Sequence, residues 1–279
     1  MQAEPKAMTQ VIIDVHANLL TVQRSYRDRI LQSLPAPVSA ELPDTYILET
    51  EPLPFSPHIF REVCLRIAPL LAEQNPQADY VPVLSGLTDE VLQQLARAVQ
   101  HAPEQDLPLA LEMAVREVGL HKFHSLEPEA LHMLLLAAFI PFFSAFARAQ
   151  SALDMERWQK GWCPVCGQFP INGYNRPGDG RRILGCWLCE TQWPYSRTAC
   201  PVCGCDSREG LLLLTPLGGD RTRRLQVCEE CGHYLKITDC TEASDACDLQ
   251  AENSATVNLD ILAQRKGYRP ASHPQLVKN

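Results

Sequence analysis

Four cysteine pairs, each with two residues between its members, cluster in the second half of this chain: Cys163 and Cys166, Cys186 and Cys189, Cys200 and Cys203, Cys228 and Cys231. A two-residue spacing lets both sulfurs of a tight turn face one ion, and two such turns supply the four ligands of a tetrahedral site. Four pairs therefore make two sites. Pairing in chain order closes the shorter loops, with Cys163, Cys166, Cys186 and Cys189 around one ion and Cys200, Cys203, Cys228 and Cys231 around the other. A cross-braced arrangement is the alternative. Three of the pairs are followed by glycine, at Gly167, Gly204 and Gly232, where a knuckle needs a positive φ just after its second sulfur. The pair Cys186/Cys189 departs from this, being followed by Glu190.

Four thiolates accept either zinc or iron, so two metal ions of one of these kinds are the expected cofactors. Zinc in a closed tetrathiolate would hold a small module together, whereas iron in the same ligands could carry one electron. A thioredoxin-like redox pair is the competing chemistry, but it needs a cysteine at a helix N-terminus in a βαβ unit, which glycine-rich knuckles do not offer. The other cysteines are predicted to be bystanders: Cys205, Cys240 and Cys247 have no clear partner, and Cys64 is a small core residue on the apolar side of a helix. His132 is read as a satisfied buried histidine rather than a ligand. No catalytic residues are predicted. The motifs include no glycine-rich nucleotide loop, no Ser/His/Asp set and no open histidine-containing metal site, so the chain is expected not to be an enzyme.

The spacers between knuckles show what must position them. The spacer between the first two pairs holds Gly173, Pro177, Gly178 and Gly180, and that between the last two holds Gly210, Gly218 and Gly219; each fits a hairpin. Strand-like runs border the knuckles at 182–184, 211–214, 224–227 and 234–237. Two successive rubredoxin-like or zinc-ribbon modules are predicted, over 161–198 and 199–240, followed by a C-terminal helix and tail over 241–279.

The region before them, 1–160, has helical periodicity and is predicted to be a separate helical domain. One amphipathic helix is predicted over 12–34, ending before Pro35. Six prolines between 35 and 57 mark an ordered linker that should wrap a surface. Ser56 and Pro57 open a second helix with Ile59, Val63, Ile67, Leu70 and Leu71 on one side, and Pro69 should kink its end. Thr88 opens a third helix, closed by Pro103, and Leu107, Leu111, Val115 and Val118 before Gly119 mark a fourth. From Ala130 to Ala147 no side chain is acidic, lysine or arginine, a run of borderline length for a membrane span. His132, Pro141 and Ser144 interrupt the run and charge resumes at Arg148, so a central bundle helix is expected instead of a span. The fold class is α+β: an N-terminal helical bundle domain, then the two tetracysteine modules, then a short C-terminal helix.

Composition sets the wider bounds. At 279 residues the chain suggests two domains, and 46% hydrophobic with 21% charged residues is ordinary for a folded protein. Residues 1–160 carry 12 basic against 20 acidic side chains and the remainder 13 against 13, for a net charge of −8. A divalent ion in four thiolates adds negative charge, so a nucleic-acid partner is not expected. Arg221, Arg223 and Arg224 form the only basic cluster and are read as a solvated hairpin tip. Met1 to Gln10 shows no secretory signal, and cytosolic thiols stay reduced, which favours metal ligation over disulfides.

These residues also carry a resemblance. Cys163-Pro164-Val165-Cys166-Gly167 with Pro170, then Leu184, Cys186, Cys189-Glu190-Thr191 and Trp193, then Cys200 and Cys203, then Cys228, Cys231-Gly232-His233-Tyr234-Leu235-Lys236-Ile237 resemble the FdhE family of formate dehydrogenase accessory proteins. Leu259-Asp260, Gly267-Tyr268 and Arg269-Pro270 look like that family's closing helix and Gly-Tyr turn. The resemblance implies a cytoplasmic, non-catalytic protein that binds the catalytic subunit of a respiratory formate dehydrogenase during maturation, with rubredoxin-like sites that can hold iron and with dimers allowed. Two other readings stand beside it. Cys-Pro-Val-Cys-Gly with aromatic neighbours Trp162, Phe169, Trp187 and Trp193 would suit a rubredoxin-type electron carrier, and a zinc-ribbon nucleic-acid binder is the less favoured third.

Overall fold

The structure, a computed structural model, describes residues 4–34, 42–100, 102, 107–122, 126–206, 209–215, 220–240 and 247–271. Pro35, Pro103, Gly218 and Gly219, singled out above, lie outside them, as does the 35–41 part of the proline-rich linker. The chain divides into two units, residues 1–36 with 49–149 and residues 37–48 with 150–279.

The first unit is helical: α1 (Glu4–Leu31), α2 (Pro57–Gln74), α3 (Val81–Gly86), α4 (Asp89–Gln100), α5 (Leu107–Glu117) and α6 (Pro128–Ala149). Helix α1 begins at Glu4, ahead of the predicted Ile12, and stops at Leu31, so residues 32–34 form a turn outside it. Pro5 is no obstacle, because the first helical turn has no internal use for its missing N–H. Ser56 Oγ accepts from the Ile59 amide at 3.4 Å to cap α2, and Thr88 Oγ1 accepts from the Val91 amide at 3.3 Å to cap α4. Helix α2 runs through Pro69 to Gln74. Helix α3 was not predicted, since so short a segment cannot show a helical period.

Helix α6 is central. Phe139 and Phe142 meet Phe55 and Phe60 with ring centroids 4.6–6.2 Å apart, and Gln23 Nε2 donates to the Ala137 carbonyl at 2.9 Å. By length and composition α6 could cross a membrane, but 78% of its apolar stretch is buried, as suits a core helix. Cys64 is also in this core, 0% exposed, where burial pushes its thiol far up. His132 is a correction: it is half-buried, in a cleft lined by His121, Glu112 and Glu129.

The second unit contains β1 (Pro170–Asn175), β2 (Arg182–Cys186), β3 (Gln192–Tyr195), β4 (Leu211–Leu214), β5 (Arg223–Cys228), β6 (His233–Asp239), α7 (Leu249–Ala255), α8 (Val257–Arg265) and β7 (Arg269–Pro270). The order in the sheet is β3-β2-β1-β6-β5-β4, with β7 added to β6. The two knuckle modules share this one sheet, because β1 pairs in parallel with β6 from Asn172↔Lys236 to Asn175↔Asp239. Gly173 lies within β1 rather than in the hairpin turn. A β-carbon there would sit 2.6 Å from the Ile183 carbonyl oxygen on β2, so glycine permits the close approach.

The C-terminal part has two helices where one was expected. Asp248 accepts from the Ala251 amide at 3.2 Å to start α7, whose Leu249 packs on Tyr174 and Ile183. Helix α8 lays Leu259 and Ala263 on Leu225, Val227 and Tyr234. The ammonium of Lys236, 2% exposed, donates to Asp260 at 2.8 Å and to the Asn253 carbonyl at 3.0 Å, which ties both helices to the sheet. The basic cluster is a solvated tip only in part: Arg221 is exposed in the turn before β5, whereas Arg223 pairs with Glu252 and Arg224 with Asp239.

Candidate metal centres

All four knuckles have one backbone design. The amide just after the second cysteine donates to the carbonyl of the first: Gly167 to Cys163 at 3.0 Å, Glu190 to Cys186 at 3.2 Å, Gly204 to Cys200 at 2.9 Å and Gly232 to Cys228 at 2.8 Å. Closing that turn needs a left-handed residue, and φ is 76°, 62°, 74° and 69° at these four positions. Glu190 thus adopts the conformation that glycine adopts in the other three, where a β-carbon makes it uncommon.

These turns bring eight sulfurs into two groups, Cys163, Cys166, Cys186 and Cys189, and Cys200, Cys203, Cys228 and Cys231, with all sulfurs in each group within 4.8 Å of one another. The grouping follows chain order and leaves no cross-brace. Sγ separations are 3.4 Å for Cys163–Cys189 and Cys166–Cys186, and 3.7 Å for Cys200–Cys231 and Cys203–Cys228. A tetrahedron with metal–sulfur bonds of about 2.3 Å has edges of about 3.8 Å, so either group can take one zinc- or iron-sized ion with small adjustment. Amides of Val165 and Cys189 point to the sulfurs of Cys163 and Cys186 at 3.4 and 3.5 Å, which helps to hold negative charge there.

The groups differ in access. All four cysteines of the first are buried, whereas Cys203 of the second is exposed and Cys231 half-buried. Burial works to raise the Cys163 thiol, but hydrogen bonds from Cys166, Cys186 and Cys189 outweigh it and hold the thiol well below its ordinary range. Burial and those same contacts push Cys166 up, so one buried thiolate is shared among thiols. In the second group the hydrogen bond from Cys231 is the largest influence on Cys200 and brings it down to about 5, while burial pushes Cys228 up to about 12. A cation entering either group would therefore have to displace the protons that the remaining thiols hold.

Neighbouring elements brace the first group. The amides of Ile47 and Leu48 donate to the carbonyls of Pro164 and Val165 at 3.0 and 2.9 Å, so part of the proline-rich segment straps this knuckle. Helix α7 reaches it through Gln250, whose side-chain amide donates to the Cys186 carbonyl at 2.9 Å. The buried Trp193 indole donates to the Lys160 carbonyl at 3.1 Å. The proline-rich segment was expected to wrap a surface, but neither its target at Pro164 and Val165 nor the α7 contact has a local pattern in the sequence.

Of the remaining cysteines, Cys240 and Cys247 require correction. They are joined in a disulfide with Cα atoms 6.4 Å apart and pack beside Tyr174, Ile183 and Leu249. Flanking segments of no recognisable pattern concealed the pairing. Cys205 lends its backbone, its carbonyl accepting from the Cys200 amide at 2.7 Å.

Fold and site together define a tetracysteine metal-binding protein in which two knuckle pairs share one sheet, preceded by a helical unit. A family model described as "FdhE, central domain" matches residues 162–197, the segment of the first knuckle pair. A protein FdhE homolog of Aquifex aeolicus is 29% identical over 194 residues, covering 68% of this chain and 65% of the relative. One of Shewanella oneidensis is 27% identical over 238 residues, covering 74% and 78%. The crystal structure of the FdhE protein from Pseudomonas aeruginosa has the same fold, with a TM-score of 0.50, 23% identity and 96% of each chain covered. The family model and the curated relatives together indicate the FdhE family as what this chain resembles.

Proposed function

We propose that this protein is a cytoplasmic accessory factor, not an enzyme, that binds the catalytic subunit of a respiratory formate dehydrogenase and assists its maturation. The observation that carries this reading is the pair of closed tetracysteine groups in a chain that resembles the FdhE family. Four thiolates around one ion leave no position for a substrate, so the metal would act by fixing the fold of a binding surface. Cys163, Cys166, Cys186 and Cys189 would hold one ion and Cys200, Cys203, Cys228 and Cys231 the other. When bound, zinc would supply rigidity alone and iron a one-electron centre. The test is co-purification of the tagged full chain with the formate dehydrogenase catalytic subunit. Retention of that subunit is expected, together with two equivalents of metal. A chain that never retains it overturns the proposal.

Exposure of Cys203 favours one second reading, a rubredoxin-type electron carrier, because an electron must enter near the surface. Stoichiometric zinc without iron in protein purified without air would remove it.

A further inference from the structure

The two edges of the sheet are unlike. At one end β3 is Gln-Trp-Pro-Tyr, and Pro194 deprives that edge of a backbone donor, one of the devices by which natural sheets prevent a further strand from adding. At the other end β4 is four consecutive leucines, Leu211 to Leu214, with no proline and no charge. Among the described residues no strand pairs with its outer side.

A continuous apolar run is the pattern of a strand covered on both faces and flanked on both sides, not of an edge. Pairing with β5 shows how far β4 is covered. Leu214 lies opposite Leu225 and packs on the core beneath α8. Leu212 lies opposite Val227 on that same face, yet is 39% exposed. On the other face Leu213 lies opposite Gln226 and is 56% exposed. Both faces thus end in exposed leucine beside backbone donors and acceptors that, among the described residues, no strand pairs.

Charge around one end selects the occupant. The Glu229 amide donates to the Gly210 carbonyl at 2.8 Å, which sets Glu229 beside the start of β4; Glu230 follows Glu229 in the chain and Glu209 precedes Gly210. Glu209 and Glu229 are exposed, as is Glu230, and Tyr268 donates to Glu229 without neutralising it. Cys228 lies opposite Leu211, so four thiolates around a divalent ion would add net negative charge at this same end.

We infer that the β4 edge is a docking site for an extended peptide segment of a client protein, which adds to the sheet as a further strand, covers Leu212 and Leu213 with alternate apolar side chains and sets Lys or Arg against Glu209, Glu229 and Glu230. Main-chain hydrogen bonds supply the affinity and the leucines with the acidic end supply the selection. The client's identity rests on the proposed function; the site and the chemistry of its occupant do not.

The test takes the full chain, metal-loaded, and a dye-labelled peptide in which valine alternates with threonine behind two lysines, read by fluorescence anisotropy. The wild type is expected to bind, less tightly as salt is raised. Leu213→Lys is expected to weaken binding roughly tenfold or more, and a double substitution of Glu209→Gln and Glu229→Gln to weaken it as well. Leu213 is already exposed, so far-UV circular dichroism and the urea midpoint of Leu213→Lys should match the wild type and separate lost docking from lost folding. No binding, or equal binding by wild type and Leu213→Lys, overturns the inference. So does a dimer that Leu213→Lys converts to monomer, since a second copy would then be the occupant. If the catalytic subunit is retained equally by wild type and Leu213→Lys, the docking role falls and the accessory function stands. If the wild type retains no catalytic subunit but binds the peptide as described, the accessory function falls and the edge stands.

Discussion

A single left-handed residue closes each knuckle, and at that scale Glu190 is the informative exception. The residue types predicted where three turns would close, through Gly167, Gly204 and Gly232, and the same amide-to-carbonyl bond at Glu190 shows that geometry rather than glycine is what the turn demands. The two groups of four cysteines share no sulfur. Cys163→Ser should lower the metal content from two equivalents to one, with the second ion retained, as elemental analysis of the purified protein would show. His233 is a separate case. It is 2% exposed, and burial, with the charge of Arg269 second, holds its imidazolium below the usual range. A base whose folded pKa is depressed contributes stability that is present above its unfolded pKa and lost as pH falls through the folded value. His233→Phe should therefore keep more of its neutral-pH stability at about pH 5 than the wild type does, compared by urea midpoints at the two pH values.

Among elements, close backbone approaches decide what each position tolerates. A β-carbon at Gly161 would overlap the Pro201 carbonyl, so Gly161→Ala must displace the chain that carries the second knuckle. It should cost roughly 3 kcal/mol or more, seen as a lower urea midpoint. Ile47, 3% exposed, belongs to the strap whose amides hold the Pro164 and Val165 carbonyls. Ile47→Ala should cost about 2–4 kcal/mol from lost burial alone. Beyond that cost, the loosened strap should speed exchange of the Ile47 and Leu48 amides, which hydrogen exchange would detect. Strands β4, β5 and β6 and the helices α2, α4, α5 and α6 were legible because apolar period or a capping residue marks them. Strands β1 and β3 were not, since Pro170, Gly173 and Pro194 disguise them and long-range pairing is what makes them strands.

For the whole molecule, unequal burial of two chemically alike sites should appear as unequal lability. A chelator reaches the second group through exposed Cys203 but meets four buried cysteines at the first. Metal release to a coloured chelator should be biphasic, with one equivalent lost quickly and one slowly, and Cys203→Ser should abolish the fast phase. Release should speed up for both as pH falls, because every thiolate ligand competes with a proton. A single phase for both equivalents would show that access does not control release.

Eight cysteines with ligand spacing, their grouping into pairs and the helical character of the first part could be read from sequence, because two-residue spacings and helical periods are local quantities. Tertiary structure alone decided that the modules share a sheet through parallel β1 and β6, that Ile47 and Leu48 strap the distant knuckle at Pro164 and Val165, that Cys240 and Cys247 pair, and that one site is sealed and the other open. Each of these depends on which distant segments come to lie side by side. Contacts of that kind are fixed by the packing of the whole chain, and no short window of residues contains them.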